Sequence, residues 1–250
     1  MNLKLGKKPA RPGAVKLELQ QYLPSKLPPI PTTFGHESLV SSWGMLGNDQ
    51  YGDCVWAGAA HESMLYNAAA HKVVTFTDKN VLSDYSAVTG FNPKDPSTDQ
   101  GTDMAKAAAY RRRTGVIDAA GQRHKVAAYL AIKPGNIHEL YAAAYLFGAV
   151  GIGLKFPDTA MEQFNAGQPW TVRRGAHIEG GHYVPVLARR GGYIDVVTWG
   201  RVQPMTESFF ELYCDEAIVY LSEEYLSGGK SPEGFNDAQL RDDLTEVTRA

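Results

Sequence analysis

The sequence predicts an α+β protein of two lobes, a helical lobe built round a buried central helix and an antiparallel β-rich lobe. Three observations carry this. Segments of helical period with cap residues crowd into residues 54–114, and β-prone runs bounded by turn residues follow after residue 126. The run Cys54-Val55-Trp56-Ala57-Gly58-Ala59-Ala60 is small on most sides, as a helix packed all round must be. Gly191-Gly192 lies between two β-prone runs and is a strong hairpin turn.

Taken in order, residues 1–35 are an extended arm. Lys4, Lys7, Lys8, Arg11, Lys16 and Lys26 face one acid, Glu18, and prolines recur at 9, 12, 24, 28, 29 and 31. Proline fixes φ and cannot continue a helix or a central strand, so the arm runs over a surface, as a tether on the domain or as a grip on a partner. It has no long helical pattern of the kind a folded inhibitory pro-domain would show. A domain over 36–225 follows, with a helical lobe over about 36–118 and a β-rich lobe over about 119–225. Asp53 stands at the N-cap position of a helix from Cys54 to His71. Val73–Phe76 is β-prone, Thr77-Asp78-Lys79-Asn80 can cap a helix to about Val88, and residues 90–101 are loop. Thr102 or Asp103 opens a helix that Gly115 ends, with Arg111-Arg112-Arg113 as its solvated last turn. Val126–Ile132 is a strand, Asn136 caps a helix over Ile137–Phe147, and strands are expected at Val150–Phe156, His182–Arg189, Tyr193–Thr198 and Ala217–Leu221. Residues 226–250 are a linker and a short amphipathic tail with Leu240, Leu244 and Val247 at helical spacing.

The totals restrict function. With 250 residues the chain buries a sizeable core, and a net charge of −2 gives no global attraction for nucleic acid or an anionic membrane. There is no apolar run of about 18 residues, and no apolar segment follows the basic N-terminus. The expectation is a cytoplasmic protein, virion association being compatible with it. Two cysteines make no disulfide framework. His177 and His182 are the nearest approach to a metal pair, but lack zinc-type spacing, so no metal or cofactor is expected.

The chemistry centres on Gly47-Asn48-Asp49-Gln50-Tyr51-Gly52-Asp53-Cys54, a polar turn that ends at a cysteine on a helix N-terminus. Unpaired N–H groups and the helix dipole favour a thiolate there. A cysteine nucleophile needs a base. Of seven histidines, His182 stands out, at the start of an apolar strand behind Gly180-Gly181. His61 lies too far along its helix to pair with Cys54 and reads as structural.

These residues resemble the papain-like cysteine peptidases over roughly residues 40–225. Asn48 falls six residues before Cys54, where that family has a glutamine; Gly52 precedes Cys54 by two and Trp56 follows it by two. Further matches in order are Thr77–Tyr85, Gln100–Met104, Gly148–Ile152, Gly181-His182-Tyr183-Val184 and Val197-Thr198-Trp199-Gly200. The resemblance implies a thiol hydrolase without cofactor, acting on peptide or isopeptide bonds of a peptide or protein substrate. It implies Cys54 as nucleophile, His182 as base and later acid, Asn48 as oxyanion donor with Gln50 competing, Gly101 and Thr102 as groove edge, and Trp199 as a water shield. It also implies that Tyr183, in place of a small residue, narrows the main specificity pocket. The family's orienting asparagine falls on Val197, so His182 is held by Thr198, by Asp195 or by nothing, and Thr198 serves only if the strand is shifted by one. Pro185 implies an edge or a bulge. The alternative is an inactive papain-like domain serving as a binding or structural module in a larger, phage-type assembly, through residues 1–35 and 233–250. A third reading is another acyl transfer, by an amidase or transglutaminase.

Overall fold

The computed structural model describes residues 3–23 and 29–226; the amphipathic tail proposed above lies outside them. After the N-terminal arm comes β1 (Phe34–Gly35), then α1 (Cys54–Ala69), α2 (Asp78–Thr89) and α3 (Met104–Arg113). A hairpin of β2 (Val116–Ile117) and β3 (Arg123–His124) leads to β4 (Val126–Ile132), α4 (Ile137–Phe147), β5 (Val150–Pro157) and α5 (Asp158–Asn165). The chain continues through β6 (Ile178–Arg190), β7 (Tyr193–Thr198), β8 (Arg201–Thr206), α6 (Glu207–Tyr213) and β9 (Cys214–Ser222). The architecture is α+β, as the sequence predicts.

Caps set several helix starts. Thr77, Asp103 and Asn136 each accept the N–H of the residue three on, Asn80, Lys106 and Glu139, at the heads of α2, α3 and α4. Gly90 ends α2 in the left-handed region at φ 77°. Asp53 holds the N-cap position of α1, but its side chain makes no cap hydrogen bond and is fully buried. Burial pushes its carboxyl well above the ordinary range, with the Asn48 amide as its polar neighbour.

The main sheet is antiparallel throughout, in the order β4-β9-β5-β6-β7-β8, with β1 added to β6. One face carries α4, α5 and α6 over Ile152, Leu154, Val184, Val196 and Val219; the other packs α1 and α3 against Tyr183, Ile218 and Tyr220. Along α1, every residue from Cys54 to Asn67 is buried, which is why that helix has no polar face. Pro185 sits where β6 and β7 part. Their pairing begins at Val186 and shifts register before Ala188, so residues 178–185 of β6 have no β7 partner. Pro204 is tolerated because β8 is the last strand of the sheet.

Several expectations need correction. Val73–Phe76 forms no strand, and Val73 is almost fully exposed. The arginine run is not wholly solvated. Arg111 is buried, pairs with the equally buried Glu62 at 2.5 Å, and lies over the Tyr220 ring at 3.7 Å. Helices α5 and α6 and strand β8 lie where no strong period was seen; α6 starts at Thr206, which accepts from Phe209 N–H.

Candidate active site

Cys54 is the first residue of α1, and its thiol is buried against β6, where Sγ accepts the Tyr183 N–H at 3.4 Å. The neighbouring residue, His182, is fully buried too. Its Nε2 shares a 2.7 Å hydrogen bond with Thr198 Oγ1, and its Nδ1 is buried without a partner. When Nε2 carries the proton and donates to Thr198, Nδ1 keeps a lone pair, the form a general base requires.

The hairpin between β7 and β8 explains why Thr198 holds the imidazole. Thr198 pairs with Arg201, leaving a two-residue loop of Trp199 and Gly200, at φ 45° and 76°. Positive φ at both positions is the type I′ geometry that matches strand twist. Val197, one residue earlier, points to the opposite face and packs with Trp43, Leu65 and Leu187. The strand therefore turns the Thr198 hydroxyl toward the histidine and Val197 away from it. Trp199 is a rare non-glycine residue at positive φ, a strain that its stacking on the imidazole offsets; the ring centroids are 4.2 Å apart, tilted by 15°. Asp195 faces elsewhere, 3.9 Å from Arg190 Nε. Gln50 is exposed. Asn48 is buried, and its Nδ2 donates to Tyr51 O at 3.0 Å and to Lys4 O at 3.3 Å.

The N-terminal arm fills the cleft between these groups. Gly181 O, on the length of β6 that lacks a β7 partner, accepts from Gly6 N–H at 3.1 Å and Lys7 N–H at 2.9 Å. On the opposite wall Thr102 N–H donates to Gly6 O at 2.7 Å and Thr102 O accepts from Lys8 N–H at 2.9 Å, a parallel bridge. Lys4 O receives both the Asn48 amide and the Trp199 indole N–H, the latter at 3.3 Å. Gly6 passes so close to the thiol loop that a Cβ on it would lie 1.8 Å from Gly52 O. Beside the arm an open groove of about 630 Å³ remains, bordered by Gln100, Gly101, Glu179 and Gly180. Gly101 and Thr102 thus edge the cleft.

Tyr183 does not narrow that cleft. Its ring turns inward between Gly58 and Gly151, and its hydroxyl donates to Glu62 at 2.9 Å. Only its backbone N–H faces the thiol. The groove's side-chain pocket lies beyond it at Gly153, and is filled by Lys7.

Burial controls protonation here. It pushes the Cys54 thiol up to about 12, against the pull of the Tyr183 and Gly6 backbone groups, and lowers His182 to about 3. With the arm in place Cys54 is a neutral thiol and His182 a neutral imidazole. Nucleophilic chemistry needs water or substrate in place of the arm.

No protein-family model matches the chain, and no curated protein sequence matches it. The likeness lies in structure. The chain has the papain-like fold. Xylellain, a cysteine protease from Xylella fastidiosa, superposes with a TM-score of 0.61 at 11% identity, over 89% of this chain and 98% of that one. Procathepsin B S9 from Trypanosoma congolense gives 0.61 at 12% identity, over 88% and 87%. Digestive procathepsin L 3 from the larval midgut of Tenebrio molitor gives 0.57 at 16%, over 83% and 76%.

Proposed function

We propose that the protein is a cysteine peptidase of papain-like fold, held latent by its own N-terminal arm, with Cys54 as nucleophile and His182 as base. The carrying observation is the His182 ring. Nε2 is fixed by Thr198, Nδ1 is unpartnered, and a peptide segment bonds to the adjoining Gly181 and packs on the thiol loop at Gly52. In an open cleft Nδ1 takes the Cys54 proton and the thiolate attacks the substrate carbonyl carbon. Asn48 Nδ2, which in the closed chain donates to a backbone carbonyl in the cleft, donates to the developing oxyanion. The C–N bond breaks as the imidazolium returns its proton to the departing amine, leaving an acyl-enzyme. His182 then deprotonates water, which cleaves the thioester and restores the thiol. The amine is that of a peptide or isopeptide bond in a peptide or protein substrate.

The test is turnover of a fluorogenic peptide library by full-length Lys7→Glu protein, which sets a carboxylate against Asp215, with acyl-enzyme trapping at Cys54 read by mass spectrometry. Turnover and trapping, both lost in a chain also carrying Cys54→Ala, are expected. A folded chain whose open cleft neither alkylates at Cys54 nor cleaves any peptide overturns the proposal. The complete burial of Cys54 and His182 would then favour the other reading, a papain-like module whose cleft serves only to dock its own arm.

A further inference from the structure

Lys7 is the feature that neither the fold nor the catalytic pair requires. An ammonium group is costly to bury, yet this side chain is only 1% exposed, deep in the cleft wall. Its Nζ pairs with Asp215 at 2.7 Å, lies 4.0 Å from Glu216, and donates to Lys8 O at 3.1 Å. The space it fills comes from Gly153: a Cβ there would fall 2.0 Å from Lys7 Cε and 2.9 Å from Met104 Sδ. Any larger residue at 153 would close the pocket.

The two carboxylates sit together for a local reason. Adjacent residues of a regular strand face opposite sides of the sheet. In β9 the register against β5 slips, with Gly153 opposite Glu216 and Leu154 opposite Cys214, so Asp215 is the extra residue of a bulge. A bulge re-aims side chains, and here both acids border one ammonium. The ladder that seats Lys7 is made of main-chain bonds to Thr102 and Gly181, which any peptide can make. Gly6, which packs against the thiol loop at Gly52, is the residue immediately before Lys7.

We infer that the cavity formed by Gly153, Met104, Asp215 and Glu216 is a specificity pocket for a lysine or arginine side chain, one residue removed from the residue at the thiol, and that Asp215 and Glu216 select it in substrates once the arm has left. The inference rests on the peptidase reading for its catalytic consequence, while the pocket's charge selectivity stands apart from turnover. The arm holds the cleft by presenting the same side chain the pocket would take from a substrate.

Two measurements on the full-length Lys7→Glu chain test this, with Lys7→Ala as the second background should the first fold poorly. The first is equilibrium binding of fluorescent peptides that copy residues 2–9, one with lysine in the place of Lys7, its sixth residue, and one with norleucine there. The lysine peptide is expected to bind about thirtyfold tighter or better, the scale of a buried charged partner. Adding Asp215→Asn and Glu216→Gln should erase that difference and leave norleucine binding within about twofold. The second is a fluorogenic library varied at the two positions N-terminal to the cleaved bond. Lysine and arginine should lead leucine and phenylalanine in kcat/KM by a similar factor, and the carboxylate variants should lose that lead. Glu216→Lys should favour acidic peptides. Equal binding of the two peptides, or selectivity unchanged by the carboxylate substitutions, overturns the pocket. Selective binding with neither cleavage of any peptide nor alkylation of Cys54 supports the pocket and refutes the peptidase reading; cleavage without basic preference does the reverse.

Discussion

Gly6 gives the sharpest handle on the closed cleft. A Cβ there would lie 1.8 Å from Gly52 O and 2.2 Å from Gly52 C, both backbone atoms that cannot swing aside. Five main-chain bonds hold the segment, from Lys4, Gly6, Lys7 and Lys8 N–H and to Gly6 O. At about 1 kcal/mol net each they amount to roughly 5 kcal/mol. Ordering the same residues costs a comparable sum, at about 1–2 kcal/mol per residue. Closure therefore has a small margin, and Gly6→Val exceeds it. The consequence is read at the thiol. A Cys54 held at about 12 has roughly 3 in 10⁵ of its thiol ionised at pH 7.5. An exposed thiol near 8.5 has about a tenth. Alkylation of Cys54 by iodoacetamide should therefore accelerate by about three orders of magnitude in Gly6→Val. Peptide mapping would follow it, with the buried Cys214 as internal reference. If folded Gly6→Val, with an unaltered circular dichroism spectrum, alkylates at the wild-type rate, the arm does not guard the thiol and the reasoning fails.

The remaining predictions concern the imidazole, the core and pH. In an arm-released chain Thr198→Val should lower kcat about 10- to 100-fold with KM little changed, since a buried Nε2–H then lacks its acceptor. Thr198→Ser should keep most of the rate, and steady-state kinetics separates the two. Arg111→Met should cost roughly 3–5 kcal/mol by urea denaturation, because it strands the buried Glu62 carboxylate; adding Glu62→Gln should recover part of the loss. His182 is lowered from 6.5 to about 3, so its contribution to the closed state is present above 6.5 and is lost as pH falls toward 3. Cys54 is raised from 9.0 to about 12, so its contribution is present below 9.0 and is lost as pH rises toward 12. Glu216, raised from 4.5 to about 7 mainly by burial and against the pull of Lys7, behaves as Cys54 does in a lower window, its contribution to folding stability being present below 4.5 and lost as pH passes 7. Urea midpoints across pH should show each slope disappear singly in His182→Asn, Cys54→Ser and Glu216→Gln.

Much of the fold was legible because its signals are local. The helix starts within residues 77–80, at Thr102 or Asp103 and at Asn136, the strand over Val126–Ile132 and the turn at Gly191-Gly192 depend on residues a few positions apart; the structure keeps them and chooses Thr77 and Asp103 as the capping residues. The flat, small-residue run after Cys54 announces a buried helix for the same reason. Helix α6 and strand β8 were not legible, since each is short and takes its stability from packing on the sheet. Arg111 misled because three consecutive arginines suggest solvent, and only tertiary contact supplies the Glu62 and Tyr220 that make its burial tolerable.

The candidate site divides along the same line. The sequence by itself determined the chemistry present, a cysteine opening a buried helix and a histidine behind two glycines in a strand, although that strand begins at Ile178 and not at His182. It left the orienting group open among Thr198, Asp195 and nothing, because strand parity has no meaning until the histidine's side of the sheet is known. Tertiary structure decided for Thr198, through a two-residue hairpin that turns its hydroxyl to His182 and Val197 into the core. It decided also that residues 4–8 lie in the cleft, and that Lys7 meets Asp215 across more than two hundred positions of sequence. Such contacts join segments whose local patterns carry no record of each other, and only the packed sheet and helices fix them together.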